Sequence, residues 1–388
     1  MSEAAARTER VRRANLARVL RLVHLDGPQS RAALTEATGL NRSTIAALVG
    51  ELVDEGLVQE RAPDSVGRVG RPSPVVAVDP RVVAIAVNPE VDAITIAAVG
   101  LDRRVLARDR IETAEVLTPS AVAASVAARI EQWRAGVLRS ARIEGVGLAV
   151  PGLVRTLDGI VRIAPHLGWQ NAPVRDLVTA ATGLRTTVGN DASLGALAEH
   201  LFGAARGVDD VVYLNGGASG IGGGVIVHGR PLGGAGGYAG EFGQNRPGIA
   251  ADVDRRAGDG VLEDEVSRTR LLAAVGLDSA DEPTLAAAIA ASASAIVTDE
   301  VARQRRILVT ALANAVNVLN PSVVVLGGFL ATIAADAIPE LLVEVRRQTM
   351  PTLADDLELR LAVLAEDRLL IGAAELAFAD LLSTPALP

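Results

Sequence analysis

From residue 79 onward, short apolar stretches alternate with longer segments in which apolar residues recur at helical spacing. The strand-like stretches include 82–87, 93–100 and 143–150, and 118–139 has the pattern of a helix. Such alternation is typical of α/β folds. Glycine-rich runs lie at predicted strand ends, at 150–152, 215–224, 231–243 and 326–329. Because glycine lets a backbone approach a ligand closely, we expect ligands to bind at these strand ends.

The first 73 residues differ in charge from the rest of the chain. They contain 11 arginines and 9 acidic residues, whereas the remainder contains 27 arginines and 37 acidic residues. The chain as a whole has a formal net charge of −8. This asymmetry predicts a small anion-binding N-terminal domain attached to an acidic body.

The N-terminal segment has the pattern of a winged helix-turn-helix. Apolar spacing predicts a first helix over 14–25, and Ser30 and Gly39 are suitable caps for a short second helix. Asn41 is a suitable N-cap for a third helix. The buried face of that helix would contain Ile45, Leu48, Val49, Leu52 and Val53. The next residues alternate like a two-stranded hairpin with 62–74 as its loop, so we predict a DNA-binding domain over 1–78.

The candidate DNA contacts lie at three places. The start of the recognition helix would read the major groove, the glycine-rich wing would enter the minor groove, and the first helix would touch the backbone. These contacts are Arg42, Ser43 and Thr44, then Arg68 and Arg71, then Arg12 and Arg13. A solvated loop is the alternative for the wing, and a generic three-helix unit is the alternative for the helices. Aromatic residues make up only 2% of the chain, which argues against binding single strands by base stacking.

Cysteine is absent, which excludes disulfides and thiolate metal sites and fits a reducing compartment. The N-terminus lacks the apolar region of a signal peptide, and no stretch is long and apolar enough to span a bilayer. We therefore expect a soluble cytoplasmic protein that does not bind a membrane.

Three parts of the body resemble the ROK family, which groups sugar-responsive repressors with sugar kinases. They are GVGLAVPGLV with GIVRIAPHLGWQNAPV, the run from VGNDASLGALAEHLF through GGYAGEFG, and NVLNPSVVVLGG. The resemblance covers 79–388 and implies a two-lobed, actin-like (ribonuclease H-like) sugar-kinase fold. The repressor branch also carries an N-terminal winged helix whose wing ends like GRVGRP, so the resemblance includes 1–78.

In the family's kinases, the first strand of the body is followed by an Asp-x-Gly-Gly-Thr turn whose Asp helps to hold the nucleotide's Mg²⁺. The matching turn here reads Asn88, Pro89, Glu90, Val91 and Asp92. An amide replaces the acid, both glycines are missing, and Pro89 has no backbone N–H donor. The two carboxylates would also repel a polyphosphate. We therefore expect no requirement for ATP and no enzymatic activity.

The resemblance also implies a sugar site. Its side chains would be His166, Asn190, Asp191, Glu241, Gln244 and Glu263. In the family's kinases, the Asp of the Asn-Asp pair takes a proton from a sugar hydroxyl. In a repressor, Asp191 would keep only the binding role, since a carboxylate beside an amide can bind vicinal hydroxyls.

Several of these positions have a second interpretation. Asn190 could cap the following helix, either instead of contacting a ligand or as well as doing so. His166 replaces the family's usual Asn and could make only a structural hydrogen bond. The loop that ends at Glu263 differs so much from the family pattern that its contact with sugar is left open.

The family's structural zinc uses a His at the position of Gln244 and several cysteines in the following loop. That loop reads GIAADVDRRAGDGVLEDE here and contains neither residue type. Since a structural zinc needs about four suitable ligands, we expect that the zinc site is lost and that the protein has no cofactor.

These observations predict a transcriptional regulator, most readily a repressor of carbohydrate metabolism or transport genes. Its partners would be double-stranded operator DNA and a small sugar or sugar phosphate, and it would form a homodimer or homotetramer. The alternatives are an ATP-dependent hexose kinase and a DNA-binding protein that responds to no ligand.

Overall fold

The computed structural model describes residues 3–62, 74–249, 251–258 and 260–385. The strands are β1 (Gln29–Ser30), β2 (Val58–Arg61), β3 (Val75–Val78), β4 (Val82–Pro89), β5 (Ala93–Gly100), β6 (Val105–Glu112), β7 (Arg142–Val150), β8 (Leu153–Val154), β9 (Val161–Ala164), β10 (Trp169–Ala172), β11 (Thr186–Asn190), β12 (Val211–Gly217), β13 (Gly220–Val227), β14 (Arg230–Pro231), β15 (Val323–Gly328) and β16 (Glu358–Leu361). The helices are α1 (Glu3–Asp26), α2 (Arg31–Thr38), α3 (Arg42–Asp54), α4 (Pro119–Arg134), α5 (Val174–Thr182), α6 (Asp191–Phe202), α7 (Leu262–Glu265), α8 (Arg268–Val275), α9 (Glu282–Ala291), α10 (Ala295–Leu319), α11 (Phe329–Ala334), α12 (Ile338–Gln348) and α13 (Arg368–Ser383).

The chain divides into two compact units. The first contains Met1–Ala149, Pro173–Val188 and Ala373–Pro388, and the second contains Val150–Ala172 and Gly189–Gly372. The winged helix is therefore grouped with the first part of the body. The predicted division of the chain after residue 78 stays a prediction.

The helix caps predicted from the sequence are present in α2 and α3. The Ser30 hydroxyl accepts a hydrogen bond from the Ala33 N–H, and Gly39 has a left-handed φ of 71° after the last turn of α2. The Asn41 side chain accepts from the Thr44 N–H at 2.8 Å and begins α3. These local hydrogen bonds fix the turn between the two helices.

The wing strands and the buried face of α3 also follow the sequence pattern, with one exception. Strand β3 pairs antiparallel with both β2 and β1. The predicted core residues of α3 are buried except Val53, which is 38% exposed. The prediction for Val53 was wrong: the residue lies one position before the end of α3 (Arg42–Asp54), outside the buried face formed by the other four.

The first unit contains a five-stranded sheet in the order β11-β7-β4-β5-β6. Strand β4 pairs parallel with β7 and antiparallel with β5. Every residue of β4 and β5 is buried, whereas β6 is largely exposed or half-buried. The predicted α/β architecture is confirmed.

A buried histidine ties the winged helix to the rest of the first unit. His24, on α1, is 1% exposed. Its Nδ1 lies 2.7 Å from the Leu101 carbonyl oxygen, and its Nε2 lies 3.0 Å from Glu375 Oε1 on α13. Because a carbonyl only accepts, Nδ1 must carry a proton. The hydrogen bond between His24 Nε2 and Glu375 contains a second proton, which is carried either by the imidazole or by the carboxyl group.

The second unit contains a five-stranded sheet in the order β14-β13-β12-β15-β16 and a three-stranded sheet, β10-β9-β8. Strand β12 pairs antiparallel with β13 and parallel with β15. One large core of mainly aliphatic residues joins this sheet to α10, α11 and α12. Among the described residues, no single helix has the length and apolar character to cross a membrane. In the described part of the chain, one pair of helices, α9 and α10, meets that criterion jointly, and the pair is bent by 119°.

Replacing Glu375 by Ala should lower the free energy of unfolding by about 1–3 kcal/mol, because His24 Nε2 would lose its partner in a buried environment. Urea denaturation of the full chain measures this change. Asp380→Ala is the matched control on the same helix. It removes an exposed ion pair with Arg185, and we expect a loss below about 1 kcal/mol. Equal losses in the two variants would contradict the structural importance of the His24 contact.

Candidate functional sites

A cavity of about 410 Å³ lies within the second unit, where the glycine-rich β12–β13 hairpin meets the start of α6. The structure brings together here all six side chains predicted to contact a sugar. They are His166, Asn190, Asp191, Glu241, Gln244 and Glu263. Their role as ligand contacts remains a prediction.

The strand-to-helix junction after β11 positions Asn190 and Asp191. Asn190 Oδ1 accepts from the Ser193 N–H at 2.9 Å, which caps α6. Its Nδ2 donates to the Gly152 carbonyl oxygen at 3.0 Å. Asp191 Oδ1 accepts from its neighbouring Ala192 N–H. The capping role of Asn190 is therefore present, and the residue also lines the cavity.

Close packing of glycine against α6 forms one wall of the cavity. A side chain at Gly222 would place its Cβ 2.6 Å from the Cβ of Ala192, and one at Gly224 would lie 2.4 Å from the Cβ of Ala196. Neither position can accept a larger residue without moving the hairpin. The approach of β13 to α6 thus explains the glycines at positions 222 and 224.

Glu263 and Gln244 form another part of the cavity lining. Glu263 Oε2 accepts from the Ile221 N–H at 3.1 Å, and Glu263 Oε1 accepts from Gln244 Nε2 at 2.5 Å. Gln244 belongs to a 3₁₀ turn, Phe242–Gln244, that begins after Glu241. These hydrogen bonds hold both side chains at the edge of the cavity.

The cavity concentrates negative charge. Burial raises the pKa of Asp191, and the Arg368 guanidinium opposes this shift only in part. Desolvation also raises the pKa of Glu241, and the charges of Asp191 and Glu263 raise it further. Carboxylates accept hydrogen bonds from hydroxyl groups, whereas they repel an anionic ligand. The site is therefore suited to a neutral polyhydroxylated molecule.

The structure also shows site residues that the sequence analysis missed. Asn215 and Ser219 line the cavity from the β12–β13 hairpin. The buried Tyr213 hydroxyl donates to Asn215 Oδ1 at 3.2 Å, which orients that amide. A polar residue between an apolar strand and a glycine run is the signal that could have identified Asn215.

The residues compared with a phosphate-binding turn lie at the end of β4, where Asn88 and Pro89 still pair with β5, and in the β4–β5 connection. Asn88 is buried, and its Nδ2 donates to Glu90 Oε1 at 3.1 Å. Arg110 donates to Glu90 Oε2 at 2.8 Å and is also paired with Asp92. Burial raises the pKa of Glu90 despite the nearby arginine. This turn offers carboxylates, and Pro89 offers no N–H, so it is poorly suited to a phosphate.

The candidate DNA contacts of the recognition helix are accessible. Arg42 and Ser43 are exposed and Thr44 is half-buried, all in the first turn of α3. Ser43 Oγ donates to Asn41 Oδ1 at 2.8 Å. The N-cap therefore also orients a side chain at the end of the helix that would face base edges.

The other candidate DNA contacts are either paired with carboxylates or lie outside the described residues. Arg12 lies 2.6 Å from Glu51 on α3, and Arg13 lies 2.9 Å from Glu9. Either arginine would have to exchange a carboxylate for a phosphate on binding. Arg68 and Arg71 lie outside the described residues, so their predicted role in the minor groove stays a prediction.

Asp191→Asn should raise the melting temperature above about pH 7, because it removes a carboxylate whose charged form is destabilised by burial. A raised folded-state pKa means that wild-type stability falls as pH rises through that pKa, so the gain should vanish near pH 4. Because the unfolding entropy grows with chain length, we expect about 1 °C per kcal/mol gained for a chain of 388 residues. Thermal melts over the pH range test this expectation, with the exposed Asp278→Asn as control. An unchanged or lower melting temperature at pH 8 would contradict it.

Comparison with known proteins gives two family matches. The ROK family profile matches residues 84–380, and a winged helix-turn-helix DNA-binding profile matches residues 12–59. The chain is 27% identical to the xylose repressor of Caldicellulosiruptor bescii, over 92% of this chain and 93% of that protein. It is 30% identical to the glucokinase of Halalkalibacterium halodurans, over 59% of this chain and 74% of that enzyme.

A solved structure of similar extent is that of a ROK family transcriptional regulator described as a homologue of the E. coli MLC protein. It has a TM-score of 0.76 and 25% identity, and the superposition covers 96% of this chain and 97% of that one. The similarity therefore includes both the N-terminal winged helix and the body.

Proposed function

This chain belongs to the ROK family, and from that premise we propose that it is a DNA-binding transcriptional repressor controlled by a small neutral sugar. The observation that carries this proposal is that one chain holds a winged helix with an accessible recognition helix and a cavity lined by hydroxyl-binding groups. The xylose repressor and the MLC homologue resemble this chain over almost its whole length, the winged helix included.

The DNA side of the proposal follows from the first turn of α3. Arg42 can donate a bidentate pair of hydrogen bonds to a guanine edge, and Ser43 and Thr44 can contact bases or phosphates. In a two-fold homodimer or homotetramer, two such helices would read a pseudo-palindromic operator. We place the protein in the cytoplasm, where it would meet the operator.

We infer the class of effector from the charge of the cavity. Asp191, Glu241 and Glu263 can accept hydrogen bonds from sugar hydroxyls, while Asn190 and Gln244 supply amide groups. Three carboxylates around one cavity disfavour a phosphorylated sugar, so we narrow the effector to an uncharged pentose or hexose. A sugar can change DNA affinity only by binding one conformation of the protein better than another.

A sugar kinase is the second candidate, because the glucokinase of Halalkalibacterium halodurans is 30% identical over 59% of this chain. The residues from Asn88 to Asp92 argue against kinase activity. Asn88 stands where a magnesium-binding carboxylate is expected, and its amide is already bonded to Glu90. We therefore propose that the protein is not an enzyme and uses neither ATP nor another cofactor.

A sugar panel tests this function. Purified protein is melted with neutral pentoses and hexoses, D-xylose and D-glucose among them, and with their phosphates. A neutral sugar at about 100 times its dissociation constant should add about 2.7 kcal/mol to stability. The same sugars, added during selection of bound DNA fragments, should change which fragments are retained. Rapid ATP-dependent phosphorylation of a hexose would instead establish the kinase, and operator binding that no sugar alters would establish a ligand-independent protein.

Arg42→Ala should weaken operator binding by about 1–3 kcal/mol if the arginine reads a base, and should relax specificity at that position. The affinity for sugar should not change. Fluorescence anisotropy with labelled operator measures the first effect and calorimetry the second. Arg175→Ala, which changes a half-buried arginine on α5, is the matched control and should leave operator affinity unchanged. Equal effects of both variants would contradict a base-reading role for Arg42.

A further inference from the structure

The loop that follows Gln244 lacks the residues of the family's zinc site. Among residues 245–249, 251–258 and 260–267, no group of three or more histidine, cysteine, aspartate or glutamate side chains is placed to hold a metal ion. Its two buried carboxylates, Asp254 and Glu265, already bind arginines of α10. The donor set therefore does not fit a structural zinc.

A buried arginine on α10 is bonded to this loop instead. The Arg303 side chain is 3% exposed. It donates to the Glu265 carbonyl oxygen at 2.6 Å, to Glu265 Oε2 at 3.1 Å and to the Asp254 carbonyl oxygen at 2.8 Å. Its other donors reach both carboxylate oxygens of Glu300. All three guanidinium nitrogens are thus used, and two of them hold the loop.

Glu265 and Gln304 complete the attachment. Glu265 is fully buried, and its carboxylate accepts from the N–H groups of Arg256 and Ala257 at 3.0 Å. Gln304, next to Arg303 on α10, bonds to both the N–H and the carbonyl of Ser267. Asp254, Glu265 and Ser267 are therefore bonded to α10, and Glu265 also holds the backbone of Arg256 and Ala257. We call Arg303 and Glu265 the clasp.

The short helix α7 connects the clasp to the cavity. Glu263 and Glu265 are two positions apart on this single turn, so their side chains point to different sides of it. Glu265 faces α10, whereas Glu263 meets the Ile221 N–H and Gln244. A backbone bond from the Leu262 N–H to the Asn245 carbonyl joins the same turn to the residue after Gln244. Any loosening of Glu265 would therefore displace Glu263 and Gln244.

We propose that Arg303 and Glu265 are positioning residues, and that this buried ion pair sets Glu263 and Gln244 for effector binding in place of a metal ion. The inference rests on the proposed function, because it assumes that the cavity binds a sugar. It adds to that function the prediction that recognition of the sugar is independent of any metal. It also assigns a role to two residues that touch no ligand themselves.

The test is Arg303→Met in the full chain, titrated calorimetrically with the neutral sugar that gives the strongest thermal shift in the panel. We expect sugar affinity to fall by about ten-fold or more, because Glu265 loses its buried partner and α7 is released. Operator affinity without sugar should stay within about two-fold of wild type, as should the change in operator affinity at saturating sugar. A general loss of structure would alter all three quantities.

Two further variants and a chelator complete the design. Arg305→Met makes the same change on the same helix, but Arg305 contacts Ile333 and Asp336 rather than the loop, so sugar affinity should hold. Glu265→Gln keeps the shape of the clasp and replaces Arg303→Met if that variant does not fold. Like Arg303→Met, this variant should weaken sugar binding. Dialysis of the wild type against EDTA should leave sugar binding unchanged.

The outcomes separate the two proposals. If the wild type binds sugar and the Arg303 and Glu265 variants bind it equally well, the clasp does not position the site and the inference fails alone. Loss of wild-type binding after EDTA treatment would also overturn it, since a metal would then be holding the loop. If the wild type binds no sugar in the panel, the proposed function fails and the inference fails with it.

Discussion

The side-chain amide of Asn190 joins three parts of the cavity in the second unit. Its oxygen caps α6, its nitrogen holds the Gly152 carbonyl, and its position sets the next residue, Asp191, at the cavity wall. Because β13 packs against the first turns of α6 through glycine, the direction of α6 also fixes the glycine-rich hairpin. The shape of the cavity therefore depends on one residue that is both a helix cap and a brace for a neighbouring loop.

The buried carboxylates that suit the cavity of the second unit to ligand binding also lower the stability of that unit. Asp191 and Glu241 are held where their charged forms are poorly solvated, and the charge of Arg368 offsets only part of the resulting rise in the pKa of Asp191. Elsewhere in the unit, buried carboxylates such as Glu265 are matched by arginine and backbone N–H groups. This contrast is typical of functional sites, where groups are left incompletely satisfied so that a ligand can satisfy them.

The sequence allowed the local features to be predicted and left the long-range ones open. The caps Ser30, Gly39 and Asn41 act within four residues of themselves, so their signals are readable along the chain. The six cavity side chains were grouped through resemblance to a family, since no periodicity connects residue 166 with residue 263. The His24–Glu375 and Arg303–Glu265 contacts join residues 351 and 38 positions apart, and nothing local distinguishes these four residues from ordinary helix positions.

The end of β4 and the residues that follow it limit which substitutions could create a phosphate site here. Restoring aspartate at position 88 alone would set two carboxylates within hydrogen-bonding distance in a largely buried place, because the Asn88 amide now donates to Glu90. A phosphate-binding turn would also require glycines and changes at Pro89 and Glu90, which would remove one of the two partners of Arg110. No single substitution therefore converts this strand end into a phosphate site, because its carboxylates, proline and arginine would have to change together.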